Sequence, residues 1–256
     1  MTRTISAVVL AGGPPDAVAA LAPGAPNKAF VAVANRTLIE RTLAALRATP
    51  AVTRIVVVTP PSAHGRGDLA LADELRPDGA TMLESVHSGV RGAPGDEPLL
   101  ICASDLPILS RAALDEFLTL ARESDADVVY GCVERATHER QFPGVPHTWA
   151  RLRGGTYCGA GVVRLRPRVL PALDGLLGRL GTARKNPLRL ASIFGPTVLA
   201  RYAAGRLTLV DVQRRATQLL GAPAAAAICT HAEIAINVDR PSDAALAERL
   251  VNVSAS

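Results

Sequence analysis

Aromatic side chains are scarce in this chain, with four Phe, three Tyr and one Trp among 256 residues. Proteins that hold single-stranded nucleic acid stack its bases on aromatic rings, so such platforms are few here despite a net charge of +5 and a pI near 9.4. The arginines are scattered, and the basic balance fits an anionic small substrate at least as well as a nucleic acid. Cysteine is equally thin: four residues, at 102, 132, 158 and 229, show neither zinc spacing nor the density of a disulfide framework. They read as small buried residues. No apolar run approaches the ~18 residues of a membrane span. The first ten residues carry one positive charge and lead into a glycine turn, without the long apolar region and cleavage site of a signal peptide. The expectation is a cytoplasmic protein with no membrane and no nucleic-acid partner.

Lysine is scarcer still, at two of 28 basic residues, Lys28 and Lys185. An arginine-preferring coding bias explains the low count by itself, and for Lys185 that explanation stands beside a functional one. Lys28 differs in its surroundings, because it lies fifteen positions after Gly13 in Leu10-Ala11-Gly12-Gly13. A compact ammonium on a flexible stem reaches a phosphate as a point charge, which arginine's planar fork does not reproduce.

What the chain has in quantity is alternation of strand and helix patterns. Continuous β-branched or apolar runs at Ile5 to Leu10 and Arg54 to Thr59 read as buried strands, and Pro98 to Cys102, Asp127 to Val133, Tyr157 to Leu165 and Glu233 to Val238 are further strand candidates. Helical periods fall at Thr37 to Ala48, Ser110 to Arg122 and Pro241 to Val251. This order predicts an α/β fold with a largely parallel, doubly wound sheet. Between about 166 and 220 short helical pieces are broken by glycine and proline, which reads as a helical insertion within a single domain of residues 1–256.

In such sheets, ligands gather at the carboxyl ends of the strands. Gly12 and Gly13 sit at one such end, where a bare backbone approaches a nucleobase or phosphate closely. Asp105 follows the apolar run Leu99 to Cys102 and offers a hard oxygen ligand suited to Mg2+, which takes one or two carboxylates plus substrate phosphates. Asp239 ends a second run, and with Pro241 behind it the residue is either a second ligand or a helix N-cap. Arg184, Lys185 and Arg189 surround Pro187, so they are either a phosphate site at a helix start or a solvated basic face.

Taken in order, Val9-Leu10-Ala11-Gly12-Gly13, Asn27-Lys28-Ala29-Phe30, Arg36-Thr37-Leu38-Ile39-Glu40, Ser104-Asp105-Leu106-Pro107 and Asn237-Val238-Asp239-Arg240-Pro241 resemble the nucleotidyltransferases related to molybdenum cofactor guanylyltransferase, the MobA-like NTP transferases, and the cytidylyltransferases of isoprenoid synthesis. The resemblance implies a three-layer αβα Rossmann-like sheet of the nucleotide-diphospho-sugar transferase type. It also implies an Mg2+-dependent transfer of a nucleoside monophosphate from a nucleoside triphosphate to a small phosphorylated acceptor, with release of pyrophosphate. Carried over, Leu10, Ala11, Gly12 and Gly13 would hold the base, Lys28 would touch phosphate and act with Asp105 in catalysis, and Asp105 and Asp239 would hold Mg2+. Glu84-Ser85-Val86-His87-Ser88-Gly89-Val90 resembles the cytidylyltransferase segment in which a helix start faces the base, which adds Ser85 to the nucleotide site. His87 reads as an ordinary helix residue.

One departure bears on activity. Family members usually follow the glycines with a small residue and an arginine that wraps the triphosphate, whereas this chain has Pro14-Pro15-Asp16 and no arginine before Arg36. Either Arg184, Lys185 and Arg189 supply the missing charge or the nucleotide site has decayed. A non-catalytic nucleotide- or metabolite-binding protein, or a metal-dependent glycosyltransferase using a sugar nucleotide, are the alternatives. The acceptor pocket is expected around His138 to Trp149 and Cys158 to Gly161.

Overall fold

A computed structural model describes residues 4–183 and 193–254. Ten strands and eight helices are named along them: β1 (Ile5–Leu10), β2 (Ala32–Val33), β3 (Arg36–Thr37), α1 (Leu38–Ala48), β4 (Val52–Thr59), β5 (Glu74–Pro77), α2 (Met82–Val90), β6 (Leu99–Ala103), α3 (Arg111–Arg122), β7 (Val128–Glu134), α4 (Arg135–Gln141), β8 (Ala150–Leu152), β9 (Gly155–Leu165), α5 (Leu170–Ala183), α6 (Pro196–Ala203), α7 (Leu209–Leu220), β10 (Ala224–Cys229) and α8 (Pro241–Ser254).

The main sheet runs β10-β7-β9-β6-β1-β4-β5, with β8 paired to β9. β1 pairs in parallel with both β4 and β6, β4 with β5, and β7 with β10. β9 is antiparallel to β6, β7 and β8, so it is the strand that makes the sheet mixed. Alternation along β1 shows why the sheet is covered twice: Ala7 and Val9 face a core built with α1 and α3, while Val8 faces a second core with Val86 and Val90 of α2 and Leu170 of α5. The result is the expected three-layer αβα arrangement. α5 packs against α2 and α7, and α7 covers the edge strand β10.

Local chemistry starts the helices where the sequence places them. Thr37 caps α1 and forms a reciprocal pair with Glu40, Ser110 caps α3 and Thr81 caps α2. One strand differs from expectation. Glu233–Val238 does not join the sheet; Ala232–Ala235 form a single 3-10 turn, and the edge strand is instead Ala224–Cys229. Four successive alanines carry little β-propensity, and their place in the sheet follows from small side chains fitting beneath α3 and α7. All four cysteines are buried and unpaired, and burial pushes the Cys158 thiol up to about 11. Among the described residues no helix is long and apolar enough to cross a membrane.

Candidate active site

β1 lies between β4 on one side and β6 on the other, the point in such sheets at whose carboxyl end ligands gather. Leu10 ends the strand and Ala11 donates its amide to Val58 O at 2.8 Å. Gly13 has φ of +103°, a region glycine enters without penalty. Gly12 is constrained differently, because a Cβ there would lie 2.5 Å from Asp78 Cβ. Asp78 holds the turn by accepting from Gly13 N at 2.9 Å. Ser85, buried in the first turn of α2, accepts from Gly79 N at 3.0 Å and so steadies the Asp78-Gly79 turn against the glycines. The structure therefore brings the end of β1, with Gly12 and Gly13, and Ser85 to the same Asp78-Gly79 turn.

Asn27 joins this turn to Lys28. It is buried, donates from Nδ2 to Ala11 O at 2.8 Å, and accepts from Ala29 N at 3.0 Å, capping the 3-10 turn Lys28–Phe30. The Lys28 ammonium lies 2.5 Å from Asp105 Oδ2 and 2.6 Å from Asp239 Oδ1. Those two oxygens are thus separated by no more than the sum of the two distances, inside the roughly 8 Å within which two carboxylates share one hydrated ion. Backbone pairing brings them together, since Val238 N donates to Asp105 O at 3.1 Å and ties the loop after β6 to the turn before α8.

Neither aspartate caps a helix. Ser110 serves α3, while Asp243 accepts from Asp239 N at 3.2 Å and Arg240 N at 2.9 Å at the start of α8. The Asp239 carboxylate turns instead to Lys28 and to Asn237 Nδ2.

Burial opposes charge on Lys28, but Asp105 and Asp239 together outweigh it and raise the ammonium above its ordinary range. Burial pushes the Asp105 carboxyl up; Lys28 pulls it down and Asp239 adds to the rise. Lys28 here neutralises a carboxylate whose residue is only 5% exposed.

Two hard carboxylates sharing one ammonium carry surplus negative charge and suit Mg2+, which completes its shell with phosphate and water. Among the described residues no cluster of three or more His, Cys, Asp or Glu forms a cage that would hold a metal without substrate.

Beside this pair lies a cavity of about 480 Å3, walled by Tyr130, Val145 to Thr148, Gly159 to Gly161 and the Asn237 to Arg240 turn. Of the stretch expected around the second substrate, Val145 to Thr148 and Gly159 to Gly161 line one space with Asp105 and Asp239, while residues 138 to 144, Trp149 and Cys158 do not line it. Cys158 is buried with its thiol towards Val133 O, and His138 is fully buried behind the wall, edge-on to His147 and Trp149. His87 lies outside the cavity and pairs with Asp174 of α5 at 2.8 Å. Arg184, Lys185 and Arg189 lie outside the described residues.

Asp78, Gly79 and Asn27 were not singled out from the sequence as site residues. Asp-Gly after a strand is a turn signal, and only the fold shows that this turn meets the glycines of β1.

The sequence profile of the MobA-like NTP transferase domain matches residues 7–232. The chain is similar to the 2-C-methyl-D-erythritol 4-phosphate cytidylyltransferase of Enterobacter sp. (strain 638), 30% identical over 124 residues that make up 47% of this chain and 52% of that protein. It is also similar to the Escherichia fergusonii protein of the same name, 28% identical over 128 residues, 47% and 54% of the two chains. It spans about half the length of these curated relatives. A solved hypothetical transferase from Thermus thermophilus is 31% identical, with a TM-score of 0.81 over 94% of this chain and 99% of its own. A CMP:2-keto-3-deoxy-manno-octonic acid synthetase complexed with CTP superposes with a TM-score of 0.61 at 12% identity, over 98% and 99% of the two chains, a likeness of fold.

Proposed function

The chain belongs to the MobA-like NTP transferase domain family, and on that premise we propose that it transfers a nucleoside monophosphate from a nucleoside triphosphate to a small phosphorylated acceptor, releasing pyrophosphate. The observation that carries this reading is the Lys28 ammonium set between Asp105 and Asp239 at the carboxyl end of the sheet, beside a glycine turn on one side and a cavity on the other. Base and sugar would lie on Leu10 to Gly13, with the Asp78-Gly79 turn and Ser85 shaping the edge they meet.

Asp105 and Asp239 would hold Mg2+, which when bound supplies positive charge to the phosphates. Lys28 would then turn from the carboxylates to the triphosphate and offset charge that builds up as pyrophosphate leaves. An acceptor phosphate oxygen forms the new bond to the α-phosphorus; the bond to the bridging oxygen breaks, and pyrophosphate departs with the electron pair. Such a reaction rests on positioning and electrostatics and requires no protein nucleophile.

Pyrophosphate release from CTP, GTP, ATP and UTP, each with Mg2+ and a panel of sugar and polyol phosphates, tests the reading. At least one pair should react, and Lys28→Ala or Asp105→Asn should lower turnover by roughly 10²- to 10³-fold. Binding of Mn2+ in place of Mg2+, followed by its electron paramagnetic resonance, should weaken in Asp105→Asn and Asp239→Asn. One observation favours a second reading, a nucleotide-binding protein without catalysis: between Gly13 and Arg36 the only cation is Lys28. Nucleotide binding without pyrophosphate release from any pair would select that reading.

A further inference from the structure

We infer that a second ligand site lies at the amino end of the sheet, opposite the glycine turn and Asp105, and that Arg164 there receives the carboxylate of a small organic acid. At that end the first residues of β1 and β6 border a cavity of about 1200 Å3, ample for a small metabolite, with Ile5, Leu99 and Leu118 supplying apolar wall. Arg164 of β9 lines the same space and is 5% exposed. Its Nη2 donates to Ser124 O at 3.3 Å and to Ala126 O, which sets the guanidinium against the loop after α3, and Ser124 and Asp125 of that loop line the cavity too. Its Nε is buried with no hydrogen-bond partner.

This cation lacks a counter-charge. Among the described residues no carboxylate lies within ion-pair distance of Arg164, and the buried Asp127 is taken by Arg166 at 2.9 Å and Arg168 at 2.6 Å. Burial and the Arg166 charge lower the Arg164 guanidinium from its ordinary range, against an opposing pull from Asp127 and Asp125. Carbonyl capping does not account for the residue either, because Arg166 Nη1 already donates to Ala126 O at 3.2 Å and to Asp125 O at 3.0 Å. A buried charge without a partner is costly, and an anion entering from the cavity would offset it. That anion carries one charge and an apolar body. Asp96, Glu97 and Asp125 are exposed and line the cavity, so they repel a phosphate dianion more than a carboxylate, while the apolar wall covers hydrocarbon.

The probes are 3-methylbutanoate and its neutral isostere 3-methylbutanamide, titrated into the full chain and followed by saturation-transfer difference NMR. The acid should bind the wild-type protein at least tenfold more tightly than the amide, and inorganic phosphate should compete for its site only weakly. Arg164→Met, which removes the charge and keeps the apolar stem, should weaken the acid at least tenfold. Lys28→Ala should bind the acid as the wild type does, which separates this site from the ammonium at the carboxyl end of the sheet. No binding of the acid, an amide or a phosphate that binds as well, equal binding by Arg164→Met, or a loss confined to Lys28→Ala each overturns the inference. The comparison of acid with amide needs no variant, so it decides the matter even if Arg164→Met does not fold.

Discussion

Replacing Lys28 by alanine should cost stability as well as turnover in the metal-free protein. The side chain is 26% exposed and the Asp105 side chain 7%, and the substitution leaves Asp105 facing Asp239 with no cation between them. Removing one partner of a fully buried pair costs ~3–5 kcal/mol. Lys28 is partly hydrated and Asp105 is free to take up a proton, so the expected loss is about 2 kcal/mol, or a melting temperature lower by roughly 4–8 °C for a chain of this size.

The loss carries a pH signature. In Lys28→Ala the folded Asp105 carboxyl has lost the ammonium that opposed its upward shift from burial and Asp239. An acid whose folded pKa exceeds its unfolded value destabilises as pH rises through that interval, since the unfolded chain releases the proton first. The deficit against wild type should therefore be largest at pH 7 to 8 and shrink as pH falls towards about 4, near the unfolded aspartate value. Differential scanning calorimetry across pH reads it directly. Asp105→Asn added to Lys28→Ala should restore most of the loss, because the amide carries no charge to strand. A Lys28→Ala melting temperature within about 1 °C of wild type at pH 7.5, or a deficit that does not change with pH, refutes the reasoning.

Further outcomes follow from other contacts. Thr37→Ala removes one half of the reciprocal cap on α1 and should lower stability by ~1 kcal/mol in denaturant titration, with pyrophosphate release unchanged because no residue of that helix lines the cavity. Gly12→Ala places a methyl against Asp78 Cβ and must displace the turn proposed to meet the base, so nucleotide Kd by calorimetry should rise at least tenfold; an unchanged Kd would remove the glycine turn from the site. Asp127 accepts from Arg168 and Arg166, whose guanidinium groups hold its carboxyl below the usual range. Stability from such a group is present above the unfolded value and lost as pH falls through the folded one. Asp127→Asn should thus destabilise by ~2–3 kcal/mol at pH 7, with the gap to wild type closing below about pH 4, as followed by thermal melts.

Much of the architecture was legible because local signals and burial agree. Ile5 to Leu10 alternates between two cores, so a strand apolar on both faces could only be central in a covered sheet, and β1 is. Thr37 and Ser110 begin helices because their hydroxyls satisfy amides the helix itself leaves open, a requirement met within four residues of chain. Ala224 to Ala227 was not legible, since four methyl groups carry little preference and only the space beneath α3 and α7 makes them a strand.

The same division runs through the site. By itself the sequence singled out the residues on which the proposed chemistry rests: a lysine after a glycine turn and two aspartates ending apolar runs. Residue type and local spacing are properties of the chain. Only the tertiary structure decided that Lys28, Asp105 and Asp239, up to 211 positions apart, meet at one nitrogen, and that Asp78 braces the glycine turn. Those meetings depend on strand order and on the backbone link from Val238 to Asp105, and no local propensity encodes the distance between two strand ends.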